Sequence, residues 1–161
     1  MLEIVTHTPK WVFGLLIVLV VLGIQQSKDR TVKKFLILPL PIGMTLLSYF
    51  GVSSSFGLSL IAIGLWFLAL AGAAFLGAKY FPVKDVHFNS ETERFHITGS
   101  WVPFGLMMAI FFTKYLVGVL NALQPSIVEN SIFIIVCSLI YGTFSGIFAA
   151  RAISVWRTIA H

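Results

Sequence analysis

Residues 57–78 read GLSLIAIGLWFLALAGAAFLGA, a run without a charged side chain. At about 1.5 Å of rise per residue, a helix of this length crosses the ~30 Å hydrocarbon core of a bilayer. A helix that is apolar on every side belongs in a large core or in lipid. Further apolar runs lie at about 9–26, 35–52, 101–120 and 127–150, so five segments are candidates for spans.

The composition agrees. Of 161 residues, 58% are hydrophobic and 11% charged, and the mean hydropathy is +0.95. A soluble domain carries ~25% charged residues, and one this small keeps much of its surface in water. An ordinary soluble enzyme, a disordered tail and a disulfide-stapled secreted module are excluded. An integral membrane protein remains, in a single domain covering 1–161. The first residues contain Glu3 and lack a basic n-region, so they do not read as a removable signal peptide. The single cysteine, Cys137, lies in an apolar run and reads as a small core hydrophobe.

Working outward from the third run, Ser53-Ser54-Ser55 makes a short connection to the second, and the two form an antiparallel hairpin. Pro39 and Pro41 fall early in the second run. They imply either a kink satisfied by neighbouring helices or a broken helix whose carbonyls face a cavity. On the other side lies a polar segment, 79–100. Within it Val86, Phe88, Phe95 and Ile97 alternate with polar residues around Asn89-Ser90-Glu91-Thr92-Glu93, a β-hairpin pattern. The expected fold is therefore all-α: a five-helix transmembrane bundle with a short cytoplasmic β-hairpin between the third and fourth helices.

The net charge of +5 has an explanation other than nucleic acid. With five spans, Lys28, Arg30, Lys33, Lys34, Lys79, Lys84, Arg94, Arg151 and Arg157 all fall on one side. Lys10 is alone on the other. Positive-inside bias then puts the N-terminus outside and the C-terminus in the cytoplasm. The partners implied are the bilayer and anionic lipids at the cytoplasmic face, with a homo-oligomer or a membrane-protein partner left open and no nucleic acid.

Within the apolar runs, Lys114 stands out, flanked by Phe111, Phe112 and Tyr115. It lies about 20 Å from the cytoplasmic end of its span, where a lysine costs on the order of 3 kcal/mol. Three readings follow: Lys114 snorkels to the outer headgroups, pairs structurally with Glu129 near the outer side, or contacts a substrate or ion together with Tyr115 and Glu129. The fifth run carries small residues at every fourth position, Ser138, Gly142, Gly146 and Ala150; Ala69, Ala73 and Gly77 repeat the pattern on the third. Such stripes let helices approach closely, within one chain or between two copies. A second cluster, Gln25, Gln26, Arg30, Ser100 and Arg151, gathers at the inner interface by topology. There Arg30 and Arg151 read as lipid contacts.

No catalytic group or cofactor is implied. His7, His87, His96 and His161 all lie outside the apolar runs. His87 and His96, facing across the hairpin, make a weak metal pair, and no metal site is assigned. Asp85, Glu91 and Glu93 read as a solvated face. Ser138, Thr143 and Ser145 have no evident base beside them.

Several features together resemble a known pattern. These are Gln25-Gln26 with Arg30 after the first span, Pro39 early in the second, and Gly99-Ser100-Trp101 with Pro103 entering the fourth. Phe111 with Lys114-Tyr115 follows, then Tyr141-Gly142, Gly146 and Arg151. The chain resembles, over nearly its whole length, an uncharacterised family of small bacterial multi-pass inner-membrane proteins, known as a domain of unknown function. The resemblance implies the bacterial inner membrane and brings no activity. The expected function is a non-enzymatic structural or accessory membrane component. The alternative is a small oligomeric transporter or channel-like unit using Lys114.

Overall fold

A computed structural model describes residues 9–83 and 86–158; the readings on Glu3, His7, Lys84, Asp85 and His161 lie outside the described residues. The chain is mostly helical. Helix α1 spans Lys10–Gln26, and strand β1 spans Arg30–Lys33. A 3-10 turn, Lys34–Ile37, leads into α2, Pro39–Phe56. Helix α3 is Leu60–Tyr80, and β2, Val86–Asn89, and β3, Arg94–Ile97, form a hairpin. Then come α4, Val102–Leu123, the single turn α5, Pro125–Val128, and α6, Ser131–Arg157.

Among the described residues, four helical segments are long and apolar enough to cross a membrane: 34–56, Leu60–Tyr80, Val102–Leu123 and Ser131–Arg157. The expected count of five is not reached on this measure. Helix α1 is apolar but has 17 residues, about 25 Å against a core of ~30 Å. Lys10 at its start and Gln25-Gln26 at its end bound the apolar run.

The boundaries of the other elements differ from the sequence reading for identifiable reasons. Pro39 and Pro41 fall within the candidate span 34–56, where a 3-10 turn gives way to α-helix. They open α2, where a missing N–H has no intrahelical partner to lose. The three serines belong to the end of α2 rather than to a loop, and Gly57 follows the helix at φ 66°, a left-handed conformation that glycine adopts without steric cost. Ser59 then caps α3, its hydroxyl accepting from the Ala62 N–H. Glu129 caps the end of α5 rather than lying in the first turn of the last span.

Asn130 caps α6, its side-chain oxygen accepting the Ile132 N–H at 2.9 Å. Replacing such a cap with alanine costs ~1 kcal/mol. Asn130→Ala is expected to lower the thermal midpoint in detergent, whereas Asn130→Asp, which keeps the acceptor, should hold it. Equal losses in both variants would contradict the capping role.

Helix α6 is central, with buried residues along most of its length, from Cys137 to Val155. Helix α3 lies closest to it. A Cβ added at Gly142 would run into the Trp66 carbonyl and Ala69, and one at Gly146 into the Leu70 carbonyl and Ala73. One at Gly77 would meet the Ala150 Cβ at 2.7 Å. The two small-residue stripes therefore face each other inside one chain. Helix α2 joins them through Ser48, which accepts the Trp66 indole N–H at 2.8 Å and donates to the Tyr141 carbonyl at 3.0 Å. Helix α1 packs on α4, where Gly23 lies against the Phe104 ring.

The expected hairpin is present, with Asn89 Oδ1 accepting the N–H groups of Glu91 and Thr92 at its turn. It carries a third strand that the sequence did not announce. Strand β1 pairs antiparallel with β3, giving the order β1-β3-β2. Phe95 and Ile97 of β3 are buried with Val155 of α6, under Val32, Val83 and Phe88. The sheet thus seals one end of the bundle.

Candidate functional site

The sheet end gathers the polar residues that the apolar helices cannot hold. Two backbone links set its geometry. The Ser100 N–H donates to the Gln26 carbonyl at 3.0 Å, and the Gly99 N–H donates to Asp29 Oδ1 at 2.7 Å. A Cβ at Gly99 would collide with the backbone of Ser27 and Lys28, so only glycine lets these connections meet. Trp101 then packs edge-on against Phe104, with ring centroids 5.7 Å apart. The Gly99-Ser100-Trp101 motif is in this way the joint between the start of α4 and the end of α1.

That joint holds Arg30 at the start of β1. Its guanidinium donates to the Gln26 side-chain oxygen, and Nη1 donates to the Gln25 carbonyl at 3.4 Å. Arg151 approaches from α6. Both arginines are half-buried. Burial pushes the Arg30 pKa below its ordinary value, yet a guanidinium keeps its proton in a protein. Among the described residues neither arginine has a carboxylate within 4.0 Å; the ion pair formed there is Lys34–Glu93, at 2.5 Å.

Arg30 and Arg151 both line a cavity of about 590 Å³. Its wall is otherwise mainly apolar: Leu15, Leu19 and Leu22 from α1, Leu40 and Met44 from α2, and Phe148 from α6. Val18 of α1 and Leu36 of the 3-10 turn also line it and are exposed, so part of its wall lies at the surface of the bundle. The sequence brought Gln25, Gln26, Arg30 and Arg151 to one interface, and all four line this cavity. Ser100 acts beside it, through its backbone. The apolar wall was missed, because it exists only where α1 leans on α4 and leaves a gap beside α2.

At the opposite end, Lys114 is half-buried and donates to Ser54 Oγ at 3.3 Å. Glu129 is exposed at the end of α5, and the two do not form an ion pair. Tyr115 stacks with Phe111 at 6.4 Å. His87 and His96 stand opposite each other in register, and His96 Nδ1 lies 3.4 Å from Thr31 Oγ1. Among the described residues no group of three or more His, Cys, Asp or Glu side chains is placed to hold a metal ion. The hydroxyls of Ser138, Tyr141 and Ser145 are buried on α6 without a hydrogen-bond partner among those residues.

Residues 1–160 match the family of unknown function DUF6622, and the chain belongs to it. No curated protein matches the chain, and no solved structure does so.

Proposed function

We propose that this member of the DUF6622 family is a multi-pass protein of the bacterial inner membrane. In this reading it crosses the bilayer five times, with its N-terminus outside and its sheet and C-terminus in the cytoplasm. It acts as a non-enzymatic accessory component that contacts anionic lipid through Arg30 and Arg151. The observation that carries the reading is the sorting of charge between the two ends of the bundle. Lys28, Arg30, Lys33, Lys34, Lys79, Arg94, Arg151 and Arg157 all lie at or near the sheet end. Lys10 lies at the far end of α1, and Lys114 lies in the half of α4 away from the sheet. That distribution fits positive-inside bias and attraction to the anionic cytoplasmic leaflet.

Helix α1 falls about 5 Å short of the hydrocarbon thickness. A mismatch of this size is accommodated by local thinning and by flanking anchors. Trp11 and Lys10 are suited to that role at its outer end. Lys114 donates to Ser54 of α2, a contact within the chain that fits the accessory reading better than transport through Lys114.

Topology tests this directly. In a Cys137→Ala background, Lys10→Cys and Gln124→Cys should react with a membrane-impermeant maleimide added to intact cells with a permeabilised outer membrane. Lys28→Cys and Arg94→Cys should react only after lysis. Labelling of Lys10→Cys together with Lys28→Cys from the inside would put α1 in the interface and reduce the crossings to four. Labelling of Lys28→Cys from outside would invert the protein.

A further inference from the structure

We propose that the cavity between α1 and α2 binds one anionic phospholipid of the cytoplasmic leaflet, with its phosphate between Arg30 and Arg151 and an acyl chain along Leu15, Leu19 and Met44. The choice of leaflet rests on the orientation proposed above; the site itself does not.

The argument begins with charge. Arg30 and Arg151 line one cavity, and among the described residues neither forms an ion pair, while Asp29 and Glu93 are engaged elsewhere. Asp29 accepts the Gly99 N–H, and Glu93 pairs with Lys34. Half-buried charge without an opposite partner is costly. A phosphate between the guanidiniums offsets that cost for both, and arginine suits it because its fork matches phosphate oxygens two at a time.

Presentation comes next. Gln26 and the Gln25 carbonyl use part of the Arg30 donor set and hold the guanidinium in place. Five N–H donors are available on each arginine, so several remain for a ligand. A side chain held in advance loses less freedom when the ligand arrives.

The wall identifies the rest of the ligand. A small inorganic anion has no use for leucines over two turns of α1. An amphiphile does, and the volume lies within the ~300–1,000 Å³ typical of small-molecule sites. Exposed Val18 and Leu36 bring part of the apolar wall to the surface that faces the bilayer in the proposed reading. Basic pockets between membrane helices on the cytoplasmic side are sites where anionic headgroups bind.

Native mass spectrometry of the full chain in mild detergent tests the proposal, using phosphatidylglycerol and phosphatidylcholine with identical acyl chains. The wild type should retain one phosphatidylglycerol in preference to phosphatidylcholine. Arg30→Gln and Arg151→Gln should each weaken retention about tenfold, the order expected from losing one charged contact. Arg30→Lys should fall between, because it keeps the charge and loses the fork. Lys28→Gln and Lys33→Gln remove equal surface charge outside the cavity and should leave retention unchanged. Melting curves of every variant establish that it is folded.

Four results would overturn the proposal. These are equal retention of the two lipids, retention unaffected in folded Arg30→Gln/Arg151→Gln, losses as large in the Lys28 and Lys33 variants, or displacement of the lipid by millimolar inorganic phosphate. The last would assign the site to a soluble anion. Binding in detergent does not depend on orientation, so selective retention together with inverted labelling of Lys28→Cys would leave the site standing and remove only the leaflet.

Discussion

Gly142→Leu is expected to destroy the folded monomer, and Gly146→Leu to do the same. A Cβ at 142 would collide with the Trp66 carbonyl oxygen and lie 2.8 Å from the Ala69 Cβ. One at 146 would lie 2.5 Å from the Leu70 carbonyl oxygen and 2.6 Å from the Ala73 Cβ. These obstacles are largely backbone and cannot rotate away. Inserting extra carbon into a packed core ordinarily costs about 1–3 kcal/mol, and more where nothing yields. In lipid, helix association depends on close packing rather than on the hydrophobic effect, so separating α3 from α6 removes the main contact of the bundle. Gly64 and Gly72, on α3, supply the control, since a Cβ at either meets nothing within 4 Å. Gly72→Ala should be neutral or slightly stabilising, because alanine is the better helix former by about 1 kcal/mol. The measurement is the monodisperse fraction on size exclusion after graded heating in detergent. If Gly142→Leu instead stays folded and only lowers the oligomeric state, the stripe is a seam between copies and the packing within one chain is wrong.

The stripes show what a sequence carries and what it withholds. Spacing by four puts Ser138, Gly142, Gly146 and Ala150 on one helix face by geometry alone. The identity of the opposing face depends on how the helices assemble, which no local pattern encodes. The same limit explains Lys114. Its place along α4 follows from counting, but its partner depends on the rotation of α4 about its axis, and that rotation turns it to Ser54. The β2-β3 hairpin was legible because aromatic and branched residues alternate on both sides of a polar turn. Strand β1 was not, because Arg30–Lys33 carries a single apolar side chain, Val32, and its partner strand lies more than sixty residues away rather than across a turn. It takes its strand form from the β3 edge.

The prolines show a different limit. Pro39 and Pro41 looked like defects within a span because the apolar run begins earlier, at Phe35. The run is continuous in hydropathy, whereas the backbone changes from a 3-10 turn to an α-helix at Pro39. Hydropathy reports which residues can sit in lipid; it does not report which hydrogen bonds they make. The arginine cluster falls between these cases. Topology brought Arg30 and Arg151 to one interface, but the cavity between them is set by tertiary packing.

Ser48→Ala is expected to be the most damaging small polar substitution, because Ser48 is fully buried and joins three helices. Its hydroxyl accepts the Trp66 indole N–H from α3 and donates to the Tyr141 carbonyl of α6. The Tyr141 carbonyl retains a lone pair for its own helix, so it loses little. The indole N–H has no second acceptor among the hydrogen bonds of the described residues, and an orphaned buried donor costs about 1–3 kcal/mol. Hydrogen bonds between membrane helices average nearer ~0.6 kcal/mol, because the unfolded chain in lipid also finds partners. The expected loss is therefore about 1–2 kcal/mol, set by the stranded indole rather than by the bond itself. This distinction is measurable. Trp66→Phe removes the donor along with some packing, and adding Ser48→Ala to it should then cost much less than Ser48→Ala alone. A double-mutant cycle read by detergent melts isolates that difference. Strictly additive losses would mean that Ser48 acts by filling space, and that α2 is held to α3 and α6 without the hydroxyl.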